Sequence, residues 1–528
     1  MSEELRDVRI GKLETLREKG VHPWPERFER SHAHLGDLRA LEPELRTRWD
    51  EAKAAAAEGE SVTPEQLDFP RVRVAGRLIA RRVMGKLSFS AIQDISGRVQ
   101  VSFERDKLAP EQEASREQYQ IFKKDLDIGD FIGVEGPIYF TNKGEMTIRV
   151  DAWQFLGKAL RPLPDKWAGV KDQEISWRKR YLDLIANPEA RDRFRTRSRI
   201  VRAMRNYLDS HDFDEVETPV LCTQASGALA RPFIAHHNSL DMEVFLRIAP
   251  ETYLKRLIVA GYNRVYEFAR CFRNEGMDPS HLQDFTMLEY YCAYWNYEDN
   301  MTFTRDFLQS VIQEVLGTLT VRYGEHELDF SGDWPRRPMA ELIAEHSGID
   351  INDHPTAEAL LAAIDAKGIA IEKRDVGRGN LIDQLYKKTT RPKLIQPTFL
   401  IKHPKDLSPL ARGNDEDETV CDRFQLVVNT WEIVNAYSEL VDPIDQRGRL
   451  EDQARQAAAG DDEAMVMDED YLLAMEYGMP PISGWGLGID RFTALLTEAA
   501  NLRDTVLFPL MRPKLVTDDE EGGEAGDS

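Results

Sequence analysis

The sequence predicts an α+β protein: a small N-terminal barrel of short strands, then a larger domain of helices packed around a large antiparallel sheet. Three observations predict it. Between residues 69 and 158, short runs rich in β-branched and aromatic residues recur with Gly and Asp turns between them. A helical pattern from Arg191 to Ser210 then opens a stretch, to Arg512, in which strand and helix patterns alternate irregularly. The bulk is that of an ordinary globular chain: 528 residues, 42% hydrophobic and 30% charged, enough for two to four domains with sizeable cores.

Taken in order, residues 1–68 form a helical extension and insertion. Leu5, Val8, Leu13 and Leu16 fall on one broad helical face, and Gly20 stands where a C-terminal cap belongs. Residues 35–68 are rich in Ala, Glu and Arg and read as helix without a chemical signal. Over 69–158 strands are predicted at 72–77, 88–92, 98–102, 131–134 and 146–150. That spacing fits an OB-fold barrel, with a generic small barrel as the competing reading. Arg71, Arg73, Arg77, Arg81, Arg82 and Lys86 cluster beside the first strand, and Phe89 lies on the second. Cations beside a stacking ring favour single-stranded nucleic acid, a strand-core phenylalanine being the other use of Phe89. A linker, 159–185, carries Leu160-Arg161-Pro162-Leu163-Pro164. The domain 186–514 opens on the long helix, followed by an extended run from Phe213 to Leu221. The tail 515–528 is acidic and contains glycine, a composition predicted to be disordered.

Composition also narrows function. No run of about 18 apolar residues occurs, so no membrane span is predicted. The first residues lack the basic and apolar regions of a signal peptide. Cys222, Cys271, Cys292 and Cys421 stand far apart with no CxxC pair, which predicts reduced thiols in a cytoplasmic protein. A net charge of −23 argues against indiscriminate nucleic-acid binding, and the arginine cluster leaves room for a local one.

Phe272-Arg273-Asn274-Glu275-Gly276 and Gly486-Leu487-Gly488-Ile489-Asp490-Arg491 each set an arginine beside a tight turn. The guanidinium is a planar, permanently charged fork suited to phosphate oxygens, so two on separate elements suggest a nucleotide gripped from both sides. Residues 264–273 read as a strand and 284–294 as its return, closed by a loop from Asn274 to Gln283. On the return strand Phe285, Met287, Glu289 and Tyr291 share a face, because side chains alternate. A carboxylate among such neighbours is costly to bury unless a cation meets it, either an internal partner or a ligand. Asn435, Tyr437 and Glu439 repeat the device. Two strands carrying Glu and Tyr suggest a pocket for a positively charged side chain.

The two arginine segments resemble motifs 2 and 3 of the class II aminoacyl-tRNA synthetases, and the long helix with its extended run resembles motif 1. Further runs carry the resemblance over nearly the whole chain, toward the bacterial-type lysyl-tRNA synthetases of subclass IIb. They are Lys179-Arg180-Tyr181-Leu182-Asp183-Leu184, Ala230-Arg231-Pro232-Phe233, His236-His237-Asn238, Ser408-Pro409-Leu410-Ala411-Arg412, Gly460-Asp461-Asp462-Glu463-Ala464 and Leu507-Phe508-Pro509. The resemblance implies an OB-fold that reads the anticodon, a class II catalytic domain, and a homodimer joined through motif 1. It implies catalytic roles for Arg273 and Arg491 on ATP, with Glu275 at the adenine amino group, His281 at the outer phosphates and Phe285 stacked on the base. Glu432 is implied as a ligand of Mg²⁺ bridging the ATP phosphates. Glu251 is implied at the α-amino group of lysine, with Glu289, Tyr291, Asn435, Tyr437 and Glu439 completing the lysine pocket. Arg82, Phe89, Gln100 and Glu145 are implied at the anticodon of tRNA-Lys. The activity implied is ATP-dependent formation of lysyl-adenylate and transfer of lysine to the 3′ end of tRNA-Lys.

The chain departs from the family at Gln425, where a second Mg²⁺-binding glutamate is usual, and at Ser280, where an arginine is usual. Asn429-Thr430-Trp431 replaces the usual Gly and Arg. A two-residue turn at Asn429-Thr430 sets Val427 opposite Glu432 with Gln425 on the same face, and a bulge is needed to bring Glu432 into phase with Asn435. An amide oxygen can still ligate Mg²⁺ but brings no charge, so the number of ions stays open. Gln425 keeps a non-aminoacylating or altered-metal paralogue as the alternative. The acidic pocket argues against an aspartate- or asparagine-specific relative.

Overall fold

A computed structural model describes residues 2–56, 62–164, 172–228, 230–374, 376–458 and 467–513. The acidic tail 515–528, part of the linker and the Gly460–Ala464 run lie outside the described residues. The chain divides into two compact units, Met1–Asp172 with Tyr181–Asn187, and Gln173–Arg180 with Pro188–Ser528. The stretch read as a linker carries two short helices, Gln173–Arg178 and Arg180–Ala186.

In the first unit β1 (Arg71–Met84), β2 (Leu87–Gln93), β3 (Arg98–Glu104), β4 (Phe131–Phe140), β5 (Met146–Val150) and β6 (Ala152–Gly157) form one sheet. Its order is β1-β2-β3-β5-β4-β6, and pairing of β1 with β4 closes it into a barrel. Alternation does the sorting: Val72, Val74 and Leu78 point inward with Ile92, Val101, Ile132 and Ile148. The sixth strand was not predicted, because only Asp151 separates it from β5 and no turn signal divides the run. Between β3 and β4 the helix Gln112–Lys124 lays Phe122 flat on Phe103, ring centroids 3.8 Å apart.

The first helix runs Ser2–Glu18, with Gly20 left-handed just beyond it at φ 71°. Leu13 and Leu16 are buried but Leu5 and Val8 are exposed, so only half the predicted face is covered. Ion pairs from Lys12 to Asp127 and Lys19 to Asp125 show why: the C-terminal half is the part seated on the barrel. The insertion folds as Leu35–Ala40 and Glu42–Ala55 and buries Leu35, Leu38, Leu45 and Trp49. Most of the arginine cluster serves the barrel itself. Arg77 donates to the Gly129 carbonyl at 2.9 Å, Arg81 to those of Phe122 (2.7 Å) and Leu126 (2.9 Å), and Arg71 pairs with Asp151 at 2.7 Å.

In the second unit the helix Pro188–Asp209 buries Ile200, Ala203, Met204 and Leu208. The extended run predicted after it shrinks to β7 (Asp214–Glu215) and the start of β8 (Leu221–Cys222). Pro219 has no N–H for a ladder, and Thr218 instead donates its hydroxyl to Glu267 at 2.7 Å. β8 pairs with β10 (Met242–Leu246) beside β9 (Phe233–His237) in a small separate sheet. The main sheet takes β11 (Arg264–Phe272) and β12 (Asp284–Ala293), skips the hairpin β13 (Thr320–Tyr323) and β14 (His326–Asp329), and continues with β15 (Arg336–Pro338) and β16 (Thr398–Pro404). β17 (Val420–Val428), β18 (Trp431–Ser438) and β19 (Ile482–Gly488) complete it, in the order β15-β16-β17-β18-β19-β12-β11-β7. It is antiparallel except at its edges, where β15 runs parallel to β16 and β7 parallel to β11. One face packs on the helix Tyr297–Leu316, through a core in which Tyr290 stacks on Trp485 at 4.7 Å. The opposite face carries the site.

A candidate nucleotide and amino-acid site

A cavity of about 330 Å³ opens over β12, β18 and β19, lined wholly by residues of the second unit. Its depth comes from glycine. Gly484 lies between Tyr291 and Tyr437, and Gly486 between Glu289 and Asn435, so the central strand contributes no bulk between two bearing strands. A Cβ at Gly484 would run into the Glu439 carboxylate and the Tyr291 ring.

Arg273 leaves the end of β11, its backbone N–H bonded to the Gln283 carbonyl at 2.9 Å. Its guanidinium lies 5.1 Å from the Phe285 ring centre, and its buried Nε has no hydrogen-bond partner among the described residues. Arg491 sits in the first turn of the helix Ile489–Leu496 and reaches the carbonyls of Glu432 (3.4 Å) and Ser280 (3.5 Å). Burial lowers its pKa, a pull that the Glu432 carboxylate opposes, and a guanidinium stays charged through such a shift. Asp490 accepts from the Thr286 N–H at 2.9 Å and from Arg197 at 2.8 Å, which ties the return strand to the arginine-bearing helix. In the loop Glu275 and His281 are exposed at the cavity rim. His281 Nδ1 lies 2.6 Å from Asp278, whose carboxyl is pulled down to about 2: partial burial raises it, and bonds from Ser280 and His281 outweigh that.

The turn between β17 and β18 has Asn429 and Thr430 at φ 48° and 65°, both in the left-handed region that a tight two-residue hairpin demands. Val427 faces Glu432, and the next pair is Leu426 with Val434, which leaves Ile433 as the extra residue of a bulge. That bulge brings Glu432, Asn435 and Tyr437 onto the cavity face together. Gln425 does not present a free oxygen. Its Nε2 donates to Glu432 at 2.8 Å, and its Oε1 lies 3.2 Å from His403 Nε2. His403 is buried and its pKa is pushed down to about 3, so the ring is neutral and its single N–H can fix the amide this way round. Gln425 as a second metal ligand is thereby corrected: the amide supplies Glu432 with a donor. Among the described residues no group of three or more His, Cys, Asp or Glu could hold a metal alone. One accessible carboxylate fits an Mg²⁺ held mainly by phosphate oxygens, the habit of that ion, and not a cage made of protein.

At the acidic end Glu251, Glu289 and Glu439 are all buried. Glu289 meets no cation at ion-pair distance among the described residues; it accepts from the Tyr291 hydroxyl at 3.3 Å. Burial, then the nearby Glu251 charge, push its carboxyl up to about 8. The internal salt bridge that the sequence left open for Glu289 occurs instead at Glu439. Lys255 Nζ stands 2.5 Å from Glu439 Oε2 and 2.6 Å from Glu251 Oε1, and Tyr437 donates to the same Glu251 oxygen at 2.8 Å. Lys255 escaped the sequence reading, although its i,i+4 spacing from Glu251 on one helix was a usable signal. Arg423 escaped too. It holds the Asn435 side chain at 2.9 Å and shares a strand face with Gln425.

On the barrel, Arg82 pairs across strands with Phe89, and Gln100 pairs with Ala91. Ser88, Ser90 and Ile92 point inward, so Phe89 is half-buried on the outer face beside Arg82. Gln100 donates to Thr147 at 2.8 Å, and Glu145 is exposed in the turn before β5.

Residues 172–512 match the family described as tRNA synthetases class II (D, K and N), and residues 72–156 match the OB-fold nucleic acid binding domain. The chain belongs to the class II aminoacyl-tRNA synthetases. It is 45% identical over 512 residues to a lysine–tRNA ligase of Pelotomaculum thermopropionicum, across 97% of this chain and 95% of the relative. Enzymes with the same name from Bacillus cytotoxicus and Bacillus anthracis are 44% and 45% identical over 516 residues, across 97% of this chain and 98% of each relative.

Proposed function

We infer that the chain is a lysine–tRNA ligase. The observation that carries the reading is one cavity lined by two arginines, Arg273 and Arg491, and by the carboxylates Glu251 and Glu289, with Glu439 buried behind. The lysine carboxylate attacks the α-phosphorus of ATP; the new O–P bond forms as the bond to pyrophosphate breaks. A hydroxyl of the terminal tRNA ribose then attacks the acyl carbon and AMP leaves. No side-chain nucleophile is needed, so catalysis consists of positioning and charge stabilisation. Arg273 and Arg491 offset the charge that builds on the phosphate. Phe285 stacks on the base, Glu275 reads its amino group and His281 meets the outer phosphates. Glu251 accepts from the α-amino group, Glu289 and Glu439 with Tyr291, Asn435 and Tyr437 enclose the ε-ammonium, and Glu432 holds the Mg²⁺ that neutralises phosphate charge when bound. Arg82, Phe89, Gln100 and Glu145 meet the anticodon. The non-aminoacylating alternative has no support, since the cavity keeps both arginines and all three carboxylates.

The protein acts as a homodimer, in keeping with the exposed Val220 and Leu221 beside motif 1, and in the cytoplasm, in keeping with four buried, unpaired cysteines. No helix among the described residues is long and apolar enough to cross a membrane. Pyrophosphate exchange dependent on each of the twenty amino acids tests the reading. Lysine alone is expected to support it; exchange driven by aspartate or asparagine, or by none, defeats it.

A further inference from the structure

We propose that Lys255 is a specificity-determining positioning residue, whose ammonium fixes the spacing between the two ends of the amino-acid pocket and so measures the length of the substrate side chain. The inference rests on the ligase reading. Lys255 projects from the helix Glu251–Val259 into the pocket wall and is completely buried. Its Nζ joins a carboxylate on its own helix, Glu251 at 2.6 Å, to one that follows β18, Glu439 at 2.5 Å. Three tyrosine rings enclose it, with centres 5.9 Å (Tyr291), 5.7 Å (Tyr437) and 5.7 Å (Tyr471) away, so the ammonium has no room to shift. Glu251 is the acceptor proposed for the α-amino group and Glu439 for the ε-ammonium. One internal cation therefore grips both acceptors and holds them at one separation.

Charge counting supports the same role. Three buried carboxylates face two substrate ammoniums, and the surplus negative charge is what Lys255 supplies with a partner. It leaves Glu439 Oε1 without a hydrogen bond among the described residues, beside Gly484 and Tyr291, where the cavity begins. A lysine that merely neutralised its neighbours would affect all substrates alike. A lysine that sets a spacing affects those of different length differently.

The test uses the full chain with Lys255→Met and Lys255→Arg, reading lysine- and ornithine-dependent pyrophosphate exchange, the KM for ATP, and melting temperature. Ornithine is one methylene shorter, a difference for which a fitted pocket discriminates roughly 10–200-fold. In folded Lys255→Met the lysine KM is expected to rise at least ~10-fold and the lysine-over-ornithine ratio of kcat/KM to fall about as much, with the ATP KM nearly unchanged. Equal losses for both amino acids, leaving the ratio intact, would overturn the proposal. Should Lys255→Met not fold, Lys255→Arg decides: it keeps the charge but spreads the carboxylates, so an unchanged ratio there overturns it as well. A wild-type protein without lysine-dependent exchange would sink the ligase reading instead, which keeps the two failures apart.

Discussion

Glu289 illustrates how a single buried side chain links the pocket to pH. Burial raises its carboxyl to about 8, with Glu251 and Glu267 adding to the rise and Arg273 and the Tyr291 hydroxyl opposing it. Below that value the empty pocket keeps the proton. A lysine ammonium favours the ionised form, so binding must release the proton, and the affinity for lysine rises with pH up to about 8 and then levels. The slope can approach tenfold per pH unit. For stability the sign is opposite: from its ordinary range near 4.5 up to about 8 the native state holds a proton the unfolded chain has lost, so stability falls as pH rises. Calorimetry of lysine binding in buffers of different ionisation heat should detect close to one proton released near pH 7, and Glu289→Gln should abolish it. A wild-type affinity flat from pH 6 to 8, with no proton released, would remove Glu289 from the amino-acid site. Strand alternation made this face legible in the sequence: Phe285, Met287, Glu289 and Tyr291 do share it. What alternation could not give is the partner of each charge. Lys255 meets Glu439 only because a helix docks near the end of β18, and Gln425 turns toward His403 only because β16 and β17 pair in one register.

Elements fared better where the backbone pattern is local. The β11–β12 hairpin and its loop, and the bulge that puts Glu432 in phase with Asn435, followed from alternation and turn chemistry alone. The run from Phe213 to Leu221 did not stay a strand, because Thr218 and Pro219 serve the Arg247–Glu267 ion pair and the chain's turn. Charge counting misled on β1: Arg77 and Arg81 cap carbonyls of the barrel, and only their neighbour Arg82 is exposed on the Phe89 face. Close approach of backbones is equally invisible in a sequence. At Gly136, in mid β4, a Cβ would fall on the Arg149 carbonyl of β5. Gly136→Ala is therefore expected to destabilise the barrel by ~1–3 kcal/mol or more, seen as a lowered melting transition. Lysine-dependent exchange in the folded fraction should persist, since its cavity is lined by the second unit alone. An unaltered melting profile would show that β4 and β5 can separate there without cost.

For the molecule as a whole, the question is how a chain of net charge −23 engages an RNA. Bulk charge repels phosphate, so affinity must come from a local surface where stacking and edge contacts share the work. The outer face of β1–β3 offers one: Arg82 opposite Phe89, with Gln100 two residues from the Phe89 partner Ser102 on the neighbouring strand. A U-rich anticodon presents few distinguishing atoms, which makes a ring that stacks on any base useful and leaves discrimination to the polar neighbours. Phe89→Ala should cost ~1–3 kcal/mol in tRNA binding, read as a raised KM for tRNA in aminoacylation. Lysine-dependent exchange needs no tRNA and should be unchanged. The competing use of a strand phenylalanine, as barrel core, predicts the reverse pair of results. The burial pattern already separates them, because Ser88, Ser90 and Ile92 take the inward positions and Phe89 the outward ones. Melting temperature and tRNA KM measured on one preparation decide it. A near-native melting temperature with a raised KM supports stacking, whereas a destabilised barrel with a normal KM would return Phe89 to the core and leave Arg82, Gln100 and Glu145 without their platform.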